Sequence, residues 1–244
     1  MIGCIMTSVL HGVFFVSLAG IVVTVILGLV SQNVSAIVNG IVSVVFALTP
    51  RLVEYASALG NGPYLTFGPA LPAWIAVAGL LHMIGMLGWY DTVWWWDHLT
   101  HSISAAFVAA LVYASLQIHI QHPLEPQFRD LYVALITVLF TLGVGVFWEF
   151  IELAAREIGE YIDRPPVLEY YGLRDTILDM IFNGIGALVI VALDVRVFVS
   201  VIEQATGSIG PLLFGSALGL FFGSVCLGVV IERLGSMSRD SRSH

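Results

Sequence analysis

Charged residues are scarce in this sequence, where they make up only 11% of 244 residues. A soluble globular domain carries roughly 25% charged residues. The 58% of hydrophobic residues leaves too little polar side chain to cover a surface exposed to water. The composition therefore excludes a soluble globular domain and a disordered chain. It predicts a multi-pass protein of the cell membrane, surrounded by membrane lipids.

Positive charge is the scarcest kind, because lysine is absent and all nine cations are arginine. They face 17 acidic residues, which gives a net charge of −8. A chain this acidic is not expected to bind nucleic acid or an anionic lipid surface as its main partner. The lack of lysine together with a pI near 5.2 is typical of high-salt organisms and predicts an origin in a haloarchaeon.

Cysteine is nearly absent too. Cys4 and Cys226 lie far apart in apolar segments, so they form neither a CxxC pair nor a disulfide framework. We interpret them as two small buried hydrophobic residues.

Long apolar runs are what the sequence has in quantity. They cover residues 9–30, 34–48, 71–89, 97–118, 131–155, 177–195 and 209–231. About twenty such residues cross the hydrocarbon of a bilayer as a helix. Helices satisfy every backbone polar group within one segment, and the runs lack the alternation of barrel strands. The sequence therefore predicts an all-α polytopic integral membrane helical bundle with about seven transmembrane helices.

The boundaries of this domain follow from the same pattern. We expect residues 1–235 to form a single transmembrane domain and residues 236–244 to form a disordered polar tail. The second run is short and contains Asn39, so it either tilts or stays re-entrant. The spacing of Gly215 and Gly219 allows another helix to approach closely. A homo-oligomer formed through this face is therefore one option. The aromatic cluster at residues 89–96 forms an interfacial belt or stacks on a flat ligand.

Ionisable residues interrupt three of the apolar runs, although charge inside a membrane is costly. They come as pairs spaced three or four residues apart: Asp97 with His101, Glu149 with Glu152, and Asp175 with Asp179. Each pair lies on one face of its helix. Because consecutive spans are antiparallel, the start of the fourth, the end of the fifth and the start of the sixth share one membrane side. We expect one pocket to contain all six side chains.

The charge of this group favours a metal ion. Residues 149–179 hold eight acids and three arginines. Carboxylates buried together must protonate, pair with arginine or share a cation. Carboxylates with an imidazole suit Mg²⁺, Mn²⁺, Zn²⁺ or iron. The predicted metal ligands are Asp97, His101, Glu149, Glu152 and Asp179.

Two further residues are assigned to catalysis. Asp175 would act as an acid/base or orienting group, and Arg174 would bind a lipid phosphate through two parallel hydrogen bonds. We expect Asn183 and Gly186 to be packing residues rather than ligands. The alternative is that the acids at the helix ends are merely solvated, with Asp97 and Asp175 as helix N-caps. His82 is interpreted as a lone histidine on an apolar face.

Three segments in this order resemble the YjdF-like family of integral membrane proteins, within a wider VanZ-like group. They are Asp97-His98-Leu99-Thr100-His101, Trp148-Glu149-Phe150-Ile151-Glu152 and Arg174-Asp175-Thr176-Ile177-Leu178-Asp179-Met180. The resemblance covers residues 71–193 and supports the six paired residues, but not His98. It implies no particular reaction.

Three functions remain open at this stage. The first is a metal-dependent hydrolase or transferase acting on a lipid or lipid-linked substrate at the membrane surface. The second is an ion- or proton-handling protein similar to a transporter, although transporters usually place their sites near the midplane and within repeats. The third is a non-catalytic membrane scaffold.

Overall fold

The computed structural model describes residues 2–60, 64–120, 126–204 and 209–242, and all its regular structure in these ranges is helical. The helices are α1 (Ile2–Ser31), α2 (Val34–Leu59), α3 (Ala70–Ile84), α4 (Tyr90–Thr92), α5 (Trp96–His119), α6 (Pro126–Tyr161), α7 (Leu173–Ala192), α8 (Val199–Ile202) and α9 (Ile209–Arg242). A π-helical turn, Gly85–Trp89, joins α3 to α4.

Seven helical segments in the described ranges are long and apolar enough to cross a membrane. Large apolar side chains point outward along them, as Phe15, Val16 and Phe214 do. An apolar outer surface is stable in lipid but not in water. The predicted all-α polytopic bundle and the multi-pass membrane location are therefore confirmed.

The second span is longer than its apolar run. α2 covers Val34–Leu59 and includes Pro50. Asn39 does not break it, because its amide donates hydrogen bonds to the carbonyl oxygens of Ser35 at 2.9 Å and Val167 at 2.7 Å. The 26 residues of α2 are enough to cross a bilayer, which favours a crossing span over the re-entrant alternative.

The core of the bundle lies around α5, which is the most buried of the spanning helices. Its Ala109 and Tyr113 pack with Ala187 of α7 and Phe198 near α8. Gly186 of α7 faces the backbone of α5, and a Cβ atom at Gly186 would collide with the carbonyl oxygen of Ser102. α5 and α7 therefore meet backbone to backbone, which fixes the depth of one relative to the other.

A distorted turn separates α3 from α4. Gly88 has φ +108°, a conformation that a side chain would strain. A Cβ at Gly85 would collide with the ring of Tyr90, so this turn folds tightly on itself. Hydropathy alone does not indicate such a turn, which reorients Tyr90 toward the interior.

The loop 162–172, between α6 and α7, is attached to two other elements at this end of the bundle. The hydroxyl of Ser35 donates to the carbonyl oxygen of Pro166 at 2.9 Å. The phenol of Tyr171 donates to Asp91 Oδ1 at 2.9 Å. The loop therefore connects α2 and α4 to the ends of α6 and α7.

Three smaller expectations need correction. Cys4 and Cys226 are exposed rather than buried, because in an apolar bilayer a thiol can face outward without contacting water. α9 continues as a helix to Arg242, whereas residues 236–242 were expected to be disordered. No proline or glycine follows Gly235 to stop the helix, and each added residue propagates it at little cost.

The aromatic cluster at residues 89–96 is only partly an interfacial belt. Trp89, Trp94 and Trp95 are exposed, but Trp96 is buried and donates to Leu81 O at 3.0 Å.

Candidate metal centre

The start of α5, the end of α6 and the start of α7 meet at one end of the bundle, as the connectivity of the spans predicts. Asp97 and Asp175 lie in the first turns of their helices, but the N-cap positions belong to Trp95 and Gly172. The N-cap alternative is therefore wrong. Acids in the first turn still interact favourably with the helix dipole.

Two histidines of α5 approach the same oxygen atom of α7. His98 Nδ1 lies 3.6 Å from Asp179 Oδ1, and His101 Nε2 lies 3.9 Å from it. His101 Nε2 is also 3.7 Å from Asp97 Oδ1. These separations are too long for hydrogen bonds. They match the roughly 3 to 4 Å between two atoms that each bind one ion at about 2.1 Å.

Glu149 of α6 completes the arrangement. Its Oε2 accepts a hydrogen bond from Thr176 Oγ1 at 2.7 Å, while its Oε1 is buried and has no hydrogen-bond partner in the described ranges. The potential ligand atoms form two groups, each within 4.8 Å. We call Asp97, His98 and Asp179 the His98 triad, and His101, Glu149 and Asp179 the His101 triad.

Three buried atoms of the two triads lack a hydrogen-bond partner among the described residues: His98 Nδ1, Glu149 Oε1 and Asp179 Oδ1. Asp179 is only 1% exposed, so water does not solvate its carboxylate freely. A buried polar atom without a partner costs roughly 1–3 kcal/mol, and more if the group is charged. Three such atoms in one place indicate a ligand.

Arginine does not supply the missing charge in the part of the chain that the structure describes. Arg156 Nη2 donates to Glu157 Oε1 at 2.6 Å, and its guanidinium lies over the ring of Tyr170. Arg174 is exposed and makes no ion pair with the described residues. Buried carboxylates can be neutralised by protonation, by arginine or by a shared cation. Because arginine is excluded here, protonation and a cation remain.

Two of the predicted site residues border the triads without belonging to them. Glu152 Oε1 accepts a hydrogen bond from Trp148 Nε1 at 2.6 Å, and its carboxylate interacts electrostatically with Glu149 and Asp97. Asp175 interacts in the same way with His98 and His101. Both acids add negative charge next to the triads.

His98 is the residue of the candidate site that the sequence reasoning set aside. Its ring stacks on Phe182 at 4.5 Å with an interplanar angle of 3°. The signal that could have identified it was its spacing of three residues from His101, which places both on one helix face. Asn183, expected to be a packing residue, is buried and its amide also interacts with His101.

A second polar network lies beside the triads. His82 Nδ1 is 2.8 Å from the phenol oxygen of Tyr90, and His82 Nε2 is 3.4 Å from Asn39 Oδ1. The interpretation of His82 as a lone histidine is therefore wrong. The sequence did carry a signal for this network, because Asn39 and His82 are polar residues within two neighbouring apolar spans.

The loop 162–172 adds acidic groups at the water-facing end of the site. Burial, together with the hydrogen bond to Asp91, raises the pKa of Tyr171 above its ordinary value. Burial and the nearby Asp91 carboxylate also raise the pKa of Glu169. The phenol of Tyr171 thus stays neutral at neutral pH and keeps donating to Asp91.

Comparison with known proteins gives one match. A family model described as a predicted membrane protein (DUF2238) covers residues 12–200, more than half of the chain. The chain belongs to this family. The match includes most of α1, all of α2 to α7 and every residue of the two triads, and it ends before α9. The chain matches no curated protein and no solved structure.

Proposed function

We propose that this DUF2238 protein is a metal-dependent membrane enzyme that acts on a lipid or lipid-linked substrate. One observation carries the proposal: two triads of ligand-type side chains share Asp179 and contain buried atoms without partners. Helical bundles bind metal ions in this way, with acids and histidines on facing helices. The ion is Mg²⁺, Mn²⁺, Zn²⁺ or iron, since carboxylate and imidazole ligands suit these metals.

The ligands in this proposal are the five triad residues, namely Asp97, His98, His101, Glu149 and Asp179. Glu152, which the sequence predicted as a ligand, takes a supporting place because it belongs to neither triad. Its negative charge still favours a cation nearby. The aromatic ring of Phe182 fixes the orientation of His98, as outer partners of metal ligands commonly do.

The chemistry follows from the position of the site at the helix ends. A bound divalent ion polarises a phosphoryl or carbonyl oxygen and lowers the pKa of a coordinated water. Asp175, in the first turn of α7 and next to both histidines, would accept or donate the proton. Arg174 is exposed and forms no ion pair with the described residues, so its guanidinium is available to a lipid phosphate.

Transport is the weaker alternative. Thr137 and Thr141 are buried on α6, two to three turns from Glu149, and would have to continue a polar path through the bundle. Both hydroxyls donate to carbonyl oxygens of their own helix at 2.8 Å, so neither O–H group passes a proton along a chain toward Glu149. This favours a site that opens to one membrane surface, as an enzyme acting on lipids requires.

Turnover of lipid by the purified full-length protein tests the proposal. We expect Mn²⁺-loaded protein to release phosphate, headgroup or acyl chain from vesicles of polar lipid extract. Asp175→Asn should keep its Mn²⁺ but lose at least about 100-fold in rate, the usual scale for a general acid or base. Asp130→Asn, an exposed acid at the other end of α6, is the matched control and should keep full activity.

One outcome would count against the enzyme and another against the role of Asp175. Wild-type protein that binds Mn²⁺ but changes no lipid class, while conducting cations across vesicles, would support transport. Equal turnover by wild type and Asp175→Asn would remove Asp175 from the chemistry.

The remaining finer assignments belong to the same proposal. A second copy of the chain would pack on α9, where nothing lies within 4 Å of a Cβ at Gly215 or Gly219. Oxidative cross-linking through Cys226, exposed on the same helix, tests this dimer.

The likeness to YjdF-like and VanZ-like proteins and the haloarchaeal origin rest on motifs and composition. The origin predicts a higher melting temperature in molar KCl than in dilute buffer.

A further inference from the structure

We propose that the site holds two divalent cations and that the carboxylate of Asp179 bridges them. One ion lies in the His98 triad and the other in the His101 triad. This inference rests on the proposed function, because it specifies how many ions that site binds and how they are connected.

The grouping of the ligand atoms is the first argument. The atoms fall into two triads that share only Asp179, and not into one group of five. Within each triad the ligand atoms lie within 4.8 Å of one another, close to the roughly 4.2 Å between opposite ligands of a single ion, whereas the five side chains do not form one group of this size. Two triads that share one carboxylate instead provide two separate positions for metal ions.

The atoms without partners are distributed in the same way. His98 Nδ1 belongs to the His98 triad and Glu149 Oε1 to the His101 triad, while Asp179 Oδ1 belongs to both. One ion in either triad would leave an unpartnered atom in the other. Two ions satisfy all three atoms.

Charge supports the same count. The carboxylates of Asp97, Glu149, Glu152, Asp175 and Asp179 interact electrostatically with one another, and no described arginine pairs with them. One divalent ion leaves three of these negative charges uncompensated, whereas two ions leave one. The remaining charge is small enough for Trp148 to stabilise through its hydrogen bond to Glu152.

The two positions differ in how well their ligands are held. In the His101 triad, Thr176 fixes Glu149 and Asn183 contacts His101. In the His98 triad, the stacking of Phe182 on His98 is the main support. Because preorganised ligands lose less conformational entropy on binding, we expect the His101 position to fill first.

Titration of the metal-free, full-length protein in detergent with Mn²⁺ tests the inference. Elemental analysis after desalting should give two ions per chain. Electron paramagnetic resonance should then show a spin-coupled pair at saturation and an isolated ion at one equivalent. His98→Gln should retain one Mn²⁺ with the signal of an isolated ion, and His101→Gln should weaken the first binding step by about 10–100-fold. His11→Gln, on α1, is the control and should retain the coupled pair.

The outcomes separate this inference from the function on which it rests. No bound Mn²⁺ in the wild type overturns both. One Mn²⁺ in the wild type, unchanged in His98→Gln, overturns only the second ion. Two ions that remain coupled in Asp179→Asn overturn the bridge.

Discussion

At the scale of single residues, the acids of this protein are neutralised in two different ways. Asp194, just beyond the end of α7, accepts hydrogen bonds from Arg196 Nε and from the phenol of Tyr113, both at 2.7 Å. Asp179, about four turns away on α7, has two histidines beside it and a buried oxygen without a hydrogen bond. The first arrangement is a surface ion pair, and the second is left to be neutralised by protons or a cation.

The pair at Asp194 predicts a pH dependence of stability. The guanidinium of Arg196, followed by Tyr113, lowers the pKa of Asp194 below its ordinary value. A lowered folded-state pKa stabilises the protein above the unfolded pKa of about 3.9, and this contribution is lost as the pH falls through the folded value. Asp194→Asn should therefore lower the melting temperature at pH 7, by an amount corresponding to at most about 1 kcal/mol because the pair is exposed.

The measurement is thermal melting of both proteins in detergent between pH 7 and pH 2. The difference should vanish at the acidic end. Asn tolerates the positive φ of 49° at this position, so the substitution adds little backbone strain. A difference of the same size at every pH would show that the ion pair is not its cause.

Residue-level prediction succeeded where spacing carried the information. Pairs such as Asp175 and Asp179 lie on one helix face whatever the surrounding structure, so the sequence predicts them directly. His98 and His82 could not be resolved in this way. The role of His98 depends on its distance from Asp179, and that of His82 depends on a turn that brings Tyr90 inward. The first contact joins residues far apart in the sequence and the second depends on an irregular turn, and periodicity encodes neither.

At the scale of helices, the packing of α5 against α7 sets the geometry of the site. Gly186 lies two turns beyond Asp179, and it allows the backbones of the two helices to touch. Since His98 and His101 are on α5 and Asp179 is on α7, a shift of either helix changes the distance from each histidine to Asp179. The small residue at 186 is therefore part of what positions the candidate ligands.

Gly186→Ala tests this role. Its added methyl group would collide with the backbone oxygen of Ser102, so we expect a loss of about 1–3 kcal/mol in stability together with weaker Mn²⁺ binding. Gly184→Ala is the matched control on the same helix, because its methyl group would have only Leu142 nearby, at 3.9 Å. It should be neutral or stabilising, since alanine favours a helix over glycine.

Thermal melting and Mn²⁺ titration of the two variants provide the comparison. Equal effects of Gly184→Ala and Gly186→Ala would show that the close approach of the helices is not what maintains the site.

The existence of the helices was predictable and their ends were not. Hydropathy identifies the part of a helix that lies in hydrocarbon, so each of the seven runs corresponds to a spanning helix. Polar residues continue the same helices into the interface: α2 runs on to Leu59 and α6 extends from Pro126 to Tyr161. The common location of three helix ends was also predictable, because antiparallel connectivity alone determines it.

At the scale of the whole molecule, the charges on the two membrane sides differ. The side that contains the site carries six arginines, at positions 156, 164, 174, 233, 239 and 242, and the opposite side carries three, at 51, 129 and 196. Positive residues in short loops favour the cytoplasmic side. We therefore predict that the site opens toward the cytoplasm.

Labelling of single cysteines in intact cells tests this orientation. In a background with Cys4 and Cys226 replaced by serine, a membrane-impermeant thiol reagent should not label Pro165→Cys in the loop after α6 until the cells are opened. Glu203→Cys, at the end of α8 on the opposite side, is exposed and should be labelled from outside. The reverse pattern would place the site outside the cell.

The central claim is that the buried acids and histidines of α5, α6 and α7 bind a divalent metal ion. Its most direct test is the melting temperature of wild type and Glu149→Gln, each measured with EDTA and with added Mn²⁺ or Zn²⁺. Because the free energy of metal binding adds to that of folding, metal should stabilise the wild type and should stabilise Glu149→Gln much less. With EDTA, Glu149→Gln should be as stable as the wild type or more so, because it removes one of several crowded negative charges. If metal raises neither melting temperature, the group is held by protons and the account of a metal site is wrong.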